Sequence, residues 1–247
     1  MILWEIGLKL PSKYMNHENH NSKIVNKPWG YEYLVYETND VALWALFIVN
    51  KQSTSFHCHG KKTTGLIVLD GKCEVSFMND SRTMNPLDKV MIRKGLFHST
   101  KSVSENGSII FEIETPKDKF DLVRFKDNYG REGKPYENHT HQINKEENCL
   151  WIDGQDKEYK FANCLLKLKN IKNINFFHTL DESEKIIFLN GGIMTDDNHF
   201  VASSGDIIEN RSILELITVF NKVHPDTKIL LIKRENNGKF NLPLSHK

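Results

Sequence analysis

Ten residues from Leu66, LIVLDGKCEV, return in altered form from Ile186 as IIFLNGGIMT. Each copy leads to an aspartate that opens another β-type run. Asp88 in PLDKVMIR lies 17 positions after Gly71, and Asp206 in SGDIIENR lies 15 after Gly191. Each then leads to an alternating apolar segment, SIIFEIE at 108–114 and TKILLIK at 227–233. Three elements in the same order at near-equal spacing mark an internal repeat. A chain so built is expected to fold as two like units in tandem.

The units read as antiparallel β structure. Short β-rich runs recur at Tyr31–Tyr36, Leu43–Asn50, Gly65–Leu69, Lys72–Met78, Lys89–Arg93 and Ser108–Glu114. Turn signals separate them: Thr38-Asn39-Asp40, Asp70-Gly71, Asn79-Asp80, Asn85-Pro86 and Asn106-Gly107. Many short strands at such spacing predict sandwiches or barrels. The polar stretch 118–148 reads as an excursion and linker. The helices the pattern allows are short, as near Met1–Leu10.

Composition excludes several function classes. Lys+Arg is 33 against Asp+Glu 32, a net charge of +1, which argues against a nucleic-acid binder held by a basic face. The longest apolar run, Val41–Val49, is far short of the roughly 20 residues a membrane helix needs. Glu5 and Lys9 interrupt the apolar start, so no signal peptide is expected. The four cysteines, Cys58, Cys73, Cys149 and Cys164, form no CxxC pair and are expected as reduced thiols in a cytoplasm.

The chemistry lies in the first half. His57 and His59 in SFHCHG would project from one face of a strand, because side chains alternate. His98 follows Asp88 by ten residues. Three imidazoles inside a small barrel make an open metal site for Zn, Fe, Mn, Ni or Cu, with water completing the shell.

These motifs carry a resemblance. His57-x-His59, with Gly71 closing the next hairpin, resembles the first cupin motif, and Asp88 to His98 resembles the second. The resemblance implies jelly-roll barrels holding one divalent metal ion on histidines and a glutamate. The sequence departs at three places: Thr64 stands where the glutamate is expected, Leu87 replaces the glycine before Asp88, and Arg93 replaces a proline. KPWGYEYLV (27–35) and DLVRFKDNYGR (121–131) further resemble the cupin domain of type II mannose-6-phosphate isomerases. In that family a Gln takes the place of His57, a His that of His59, a Glu that of Thr64 and an Arg that of Lys62. His59 and His98 therefore match its ligands, while His57 matches the wider cupin pattern.

The expected fold is all-β: two tandem cupin jelly-roll barrels, the second degenerate. Residues 1–24 form an N-terminal extension, 25–120 a metal-binding barrel, 121–149 a closing segment and linker, and 150–247 a ligand-free barrel. In the second barrel Phe177 falls opposite His57, Thr179 opposite His59 and Leu216 opposite His98, with His178 out of register. No metal is expected there, and the unit is read as a packing, dimer or lid module.

The expected function is a metal-dependent cupin acting on a sugar phosphate or nucleotide-linked sugar, of isomerase or epimerase class. The alternatives are a non-catalytic sugar-binding or scaffold cupin and an Fe(II)-dependent dioxygenase. His57, His59 and His98 are the candidate ligands for Zn, Fe, Mn or Ni. Lys62, Glu112 and Glu114 are the candidate bases, and Lys62 and Arg93 the candidate substrate contacts. Glu112 and Glu114 share one strand face. It is read as solvent-facing; were it the interior, one could supply the missing carboxylate. Thr64 is expected to face the histidines, so Thr64→Glu would tighten the metal. Cys58 should point outward, Asp127 and Arg131 should pair, and the HxH of His139 and His141 is read as exposed. The partner is a small sugar or sugar phosphate, with no nucleic acid and no membrane; a homodimer is among the assemblies allowed.

Overall fold

The computed structural model describes residues 23–134, 136, 140–142 and 149–235. The helix expected near Met1–Leu10 and the side chains of His139 and His141 lie outside the described residues. The first half contributes β1 (Lys23–Lys27), β2 (Gly30–Glu37), β3 (Ala42–Ile48), β4 (Phe56–Cys58), β5 (Thr63–Asp70) and β6 (Cys73–Phe77). It continues with β7 (Ser81–Met84), β8 (Lys89–Ile92), β9 (His98–Ser102), β10 (Ser108–Thr115), β11 (Val123–Lys126) and β12 (Thr140–Gln142). The second half contributes β13 (Glu158–Phe161), β14 (Cys164–Ile171), β15 (Lys185–Asn190) and β16 (Gly192–Met194). It ends with β17 (Phe200–Ser203), β18 (Ile207–Glu209), helix α1 (Asn210–Ile217), β19 (Lys222–Val223) and β20 (Thr227–Arg234).

The strands form four antiparallel sheets. Sheet 1 runs β12-β1-β2-β3-β10-β5-β8 and sheet 2 runs β11-β4-β9-β6-β7. Sheet 3 runs β13-β14-β20-β15-β18 and sheet 4 runs β17-β16-β19. The order β2-β3-β10-β5-β8 in the first half is the order β13-β14-β20-β15-β18 in the second, so the fold is all-β with one jelly-roll plan used twice. The turns repeat too. Asp88 Oδ2 accepts the Asn85 N–H at 2.8 Å and Asp206 Oδ2 the Ser203 N–H at 2.8 Å. The residues before them, Leu87 (φ 67°) and Gly205 (φ 95°), are both left-handed. Leu87 holds the conformation in which glycine has no steric cost.

Three apolar cores lie between four layers. Leu34, Trp44, Leu66 and Ile110 of sheet 1 meet Cys73, Val75 and Met84 of sheet 2. The opposite face of sheet 1, with Leu43, Phe47, Ile67 and Phe111, packs on Phe161, Leu168, Ile187 and Leu230 of sheet 3. The far face of sheet 3, with Ile186, Phe188 and Ile229, meets Ile193, Ala202 and α1. Sheet 1 is therefore covered on both faces. That is why β3 (ALWALFI) is buried along its whole length and reads as a continuous apolar run rather than an alternating one.

Two expectations need correction. The stretch read as a linker contributes strands: β11 pairs with β4 and β12 with β1. In the second half, the positions aligned with His57 and His59 lie in a 3-10 helix, Ile174–Thr179, and Leu216 lies in α1. The segment RSILELI looks β-rich, yet it buries Ile213 and Ile217, four apart, on one helical face. Asn210 fixes the arrangement by donating its side-chain amide to Phe177 O (3.1 Å) and Leu180 O (3.3 Å). Among the described residues no helix is long and apolar enough to cross a membrane.

Candidate metal centre

β4 and β9 bring the imidazoles together. His57 and His98 are cross-strand partners, so both side chains leave sheet 2 on one face. His59, two residues beyond His57, shares that face. Ring centroids stand 4.5 Å (His57–His98), 4.9 Å (His57–His59) and 5.5 Å (His59–His98) apart. One nitrogen from each ring lies within 4.8 Å of the others.

The hydrogen bonds decide which nitrogens these are. His57 Nδ1 bonds Ser55 O at 2.7 Å, His59 Nδ1 bonds Asp121 O at 2.5 Å and His98 Nδ1 bonds Leu96 O at 3.0 Å. A carbonyl oxygen only accepts, so each Nδ1 carries the proton. Each Nε2 is then a bare lone pair facing its neighbours. His59 Nε2 is buried and has no hydrogen-bond partner. Burial first, and neighbouring positive charge after it, holds the rings neutral. The pKa of His59 is pushed down to about 3 and that of His98 to about 4, and His57 lies well below the usual imidazole range. Three neutral rings, each oriented by a carbonyl behind it, are the donor set of an open three-nitrogen metal site. The residues fit a divalent ion.

An open pocket is lined by His57 and His59. Its far wall is charged: Lys27, Glu32, Lys62, Glu112, Glu114 and Lys119 line it. Glu112 and Glu114 thus face the interior, contrary to the solvent-facing expectation. The pairing of β10 explains this. Glu112 lies opposite Trp44 and Leu66, and Glu114 opposite Ala42 and Thr64, all on the face that packs towards sheet 2.

The two carboxyls have different environments. Lys62 Nζ donates to Glu114 Oε1 at 2.7 Å and Lys119 Nζ to the same oxygen at 3.3 Å. Burial would raise the Glu114 pKa, but the two ammonium groups outweigh it and hold the group well below the carboxylate range. Glu114 Oε2 remains buried with no hydrogen bond. Glu112 has, among the described residues, a 4.0 Å approach from Lys119 Nζ. Burial, with Glu114 and Glu32 nearby, outweighs that cation and pushes Glu112 up to about 7.

The remaining candidates separate. Thr64 is buried on the interior face with its hydroxyl unpartnered, and the carboxylate beside it is Glu114 of the neighbouring strand. Lys62 is 1% exposed, and its ammonium is committed to Glu114 and to Asp118 O (2.9 Å) rather than open to a phosphate. Arg93 is exposed in the turn after β8 and is not among the cavity-lining residues, so the substrate role expected of it has no geometric basis. Cys58, on the other face of β4, is a buried free thiol. Asp127 and Arg131 pair at 2.6 Å.

Sequence reasoning missed Lys27, Glu32, Lys119 and Tyr136. Lys119 bridges Glu32 (3.1 Å) and Glu114 (3.3 Å) and lies 4.1 Å from the Trp44 ring centre. Tyr136 donates its hydroxyl to Glu32. A usable signal existed for Glu32 alone, since in YEYLVYE it shares a face with Leu34.

No family model matches the sequence, and no curated protein does. Solved structures do resemble it. KdgF from Halomonas sp. shares 18% identity at TM-score 0.37, over 38% of this chain and 88% of that one. A cupin-2 domain containing protein from Shewanella frigidimarina shares 21% at TM-score 0.32, over 37% of this chain and 84% of that one. The capsular polysaccharide assembling protein CapF from Staphylococcus aureus shares 15% at TM-score 0.38, over 42% of this chain and 31% of its own length. At these identities the likeness concerns the fold alone.

Proposed function

We propose that the chain is a metal-dependent cupin enzyme of the bicupin kind, acting on a sugar phosphate or a nucleotide-linked sugar by isomerisation or epimerisation. His57, His59 and His98 would hold the ion. When bound, it supplies a Lewis acid that polarises the carbonyl and hydroxyl oxygens of an open-chain sugar. Glu112 takes the proton from the carbon beside that carbonyl and returns it to the reacting skeleton, so no net proton is gained or lost. Glu114, kept ionised by Lys62 and Lys119, and Glu32, kept ionised by Lys119 and Lys27, set the field around Glu112. A base with pKa near working pH combines the right protonation state with driving force for transfer.

The observation that carries this reading is Glu112 itself. It lines the cavity with His57 and His59, and among the described residues the ion pair it makes is the 4.0 Å approach of Lys119 Nζ. The resemblance of 27–35 and 121–131 to mannose-6-phosphate isomerases supports the substrate class.

The test is proton exchange. Protein purified without chelator is incubated in deuterated water with a panel of aldose and ketose phosphates and nucleotide-linked sugars, and the products are read by NMR. Deuterium should enter at the carbon next to the carbonyl and vanish with Glu112→Gln. Sugar-phosphate binding that persists unchanged after chelation, without exchange in any substrate, would favour a binding module instead. Oxygen consumption with Fe(II) would favour a dioxygenase.

A further inference from the structure

His59 differs from its partners in how it is held. The acceptors behind His57 and His98, Ser55 O and Leu96 O, lie two residues away on the same stretch of chain. The acceptor behind His59 is Asp121 O, 62 residues distant. His59 also lies just beyond the end of β4, and its own backbone tie is the Gly95 N–H on its carbonyl at 2.7 Å. The orientation of this ring therefore depends on where the loop between β10 and β11 sits.

One side chain ties that loop to the turn after His59. The Asp121 carboxylate accepts three consecutive backbone N–H groups from the turn after His59. Oδ1 takes Gly60 at 3.0 Å, and Oδ2 takes Lys61 at 2.7 Å and Lys62 at 3.0 Å. Three amides converging on one carboxylate form an anion nest, which extends the join made by the β4–β11 ladder (Cys58 opposite Val123) to the turn after His59. The same loop carries Lys119 into the charged cluster and presents Asp118 O to Lys62 Nζ.

We infer that Asp121 is the positioning residue for the metal-ligand role of His59. Its carboxylate fixes the 60–62 turn against the loop, and so holds its own carbonyl at His59 Nδ1 and leaves Nε2 bare towards the metal. The inference rests on the three-histidine reading. It adds that the centre needs a residue which touches neither metal nor substrate.

The test uses the full chain, with cobalt(II) as the metal probe. In metal-free wild type, nitrogen-15 NMR should find the proton on Nδ1 of all three histidines. In Asp121→Asn the amide removes the charge and part of the acceptor capacity. His59 alone should lose its single tautomer, cobalt should bind about 10- to 100-fold more weakly, and its visible spectrum should change. Asp121→Glu keeps the charge with a displaced carboxylate and should fall between the two; it also serves if Asp121→Asn does not fold. An Nε2 proton on His59 in wild type would overturn the inference with no variant needed. So would an unaltered His59 tautomer or a cobalt affinity within about twofold of wild type in Asp121→Asn. An equal loss across all three histidines would do the same, since it would mark general destabilisation. Should wild type bind no cobalt while His59 keeps its Nδ1 proton until Asp121 is replaced, the metal reading falls and the link between the two residues stands.

Discussion

The two halves share a strand order and differ at one end. In the first, β4 and β9 close the open end of the barrel and deliver His57, His59 and His98 to one point. In the second, the 3-10 helix and α1 occupy the corresponding stretch, and Phe177 and Ile213 fill the space with apolar volume. A jelly roll offers a site only where its end strands present donors and leave a cavity. In the second half helices fill that end with apolar side chains. The second half packs on the outer face of sheet 1, where Phe111 and Phe161 stack at 6.1 Å.

The largest expected effect breaks that division of labour. Phe111→Ala should cost about 3–5 kcal/mol, because it removes a fully buried ring from the core shared by both halves. Chemical denaturation followed by probes in each half should show a single shifted transition. Two separate transitions would mean that the halves are energetically independent, whatever they touch.

Next comes acid. The three imidazoles are neutral in the fold, with pKa values below the ordinary 6.5, while the unfolded chain binds protons there. Stability from this source is full above about pH 6.5 and is lost as pH falls towards about 4, because the unfolded state then takes up more protons. Glu112, raised to about 7, acts the other way between its ordinary value and 7, but it is one group against three. Melting temperature measured from pH 7.5 to 4.5 should therefore fall. Replacing all three histidines by Gln should flatten the profile; an unchanged profile would place the acid sensitivity elsewhere.

Thr64→Glu sharpens the comparison within the first half. The new carboxylate would lie directly across the β5–β10 ladder from Glu114, and like charges so placed destabilise. Metal-free protein should melt lower, corresponding to about 3 kcal/mol or more for an added buried charge. Added metal should recover part of this loss. Equal melting temperatures without metal would mean that position 64 does not face Glu114.

The chemistry was legible where it is local. HxH on a short strand, and a third histidine ten residues after an aspartate in a turn, announce themselves by spacing. The charged wall was not. Glu112 and Glu114 on an alternating strand look like a wet face until the register with β3 and β5 is known, and Lys119 and Asp121 sit in a segment that composition marks as linker. Helix α1 of the second half is hidden because its Ile and Leu residues serve both a short strand and a short amphipathic helix. Arg93 shows the converse error. A motif position suggested a site contact, yet its side chain points to solvent. Arg93→Ala should be the smallest change of all, within about 0.5 kcal/mol in stability and without effect on metal content.

The first half is expected to hold a metal ion on His57, His59 and His98, and the second half is expected to hold none. Elemental analysis of protein purified without chelator, wild type beside His57→Ala/His98→Ala, tests it most directly. The account predicts close to one equivalent of a divalent transition metal per chain in wild type and almost none in the double variant, with the fold intact by circular dichroism. Full metal content in the double variant, or a wild type that binds no such ion even when it is supplied, would contradict it.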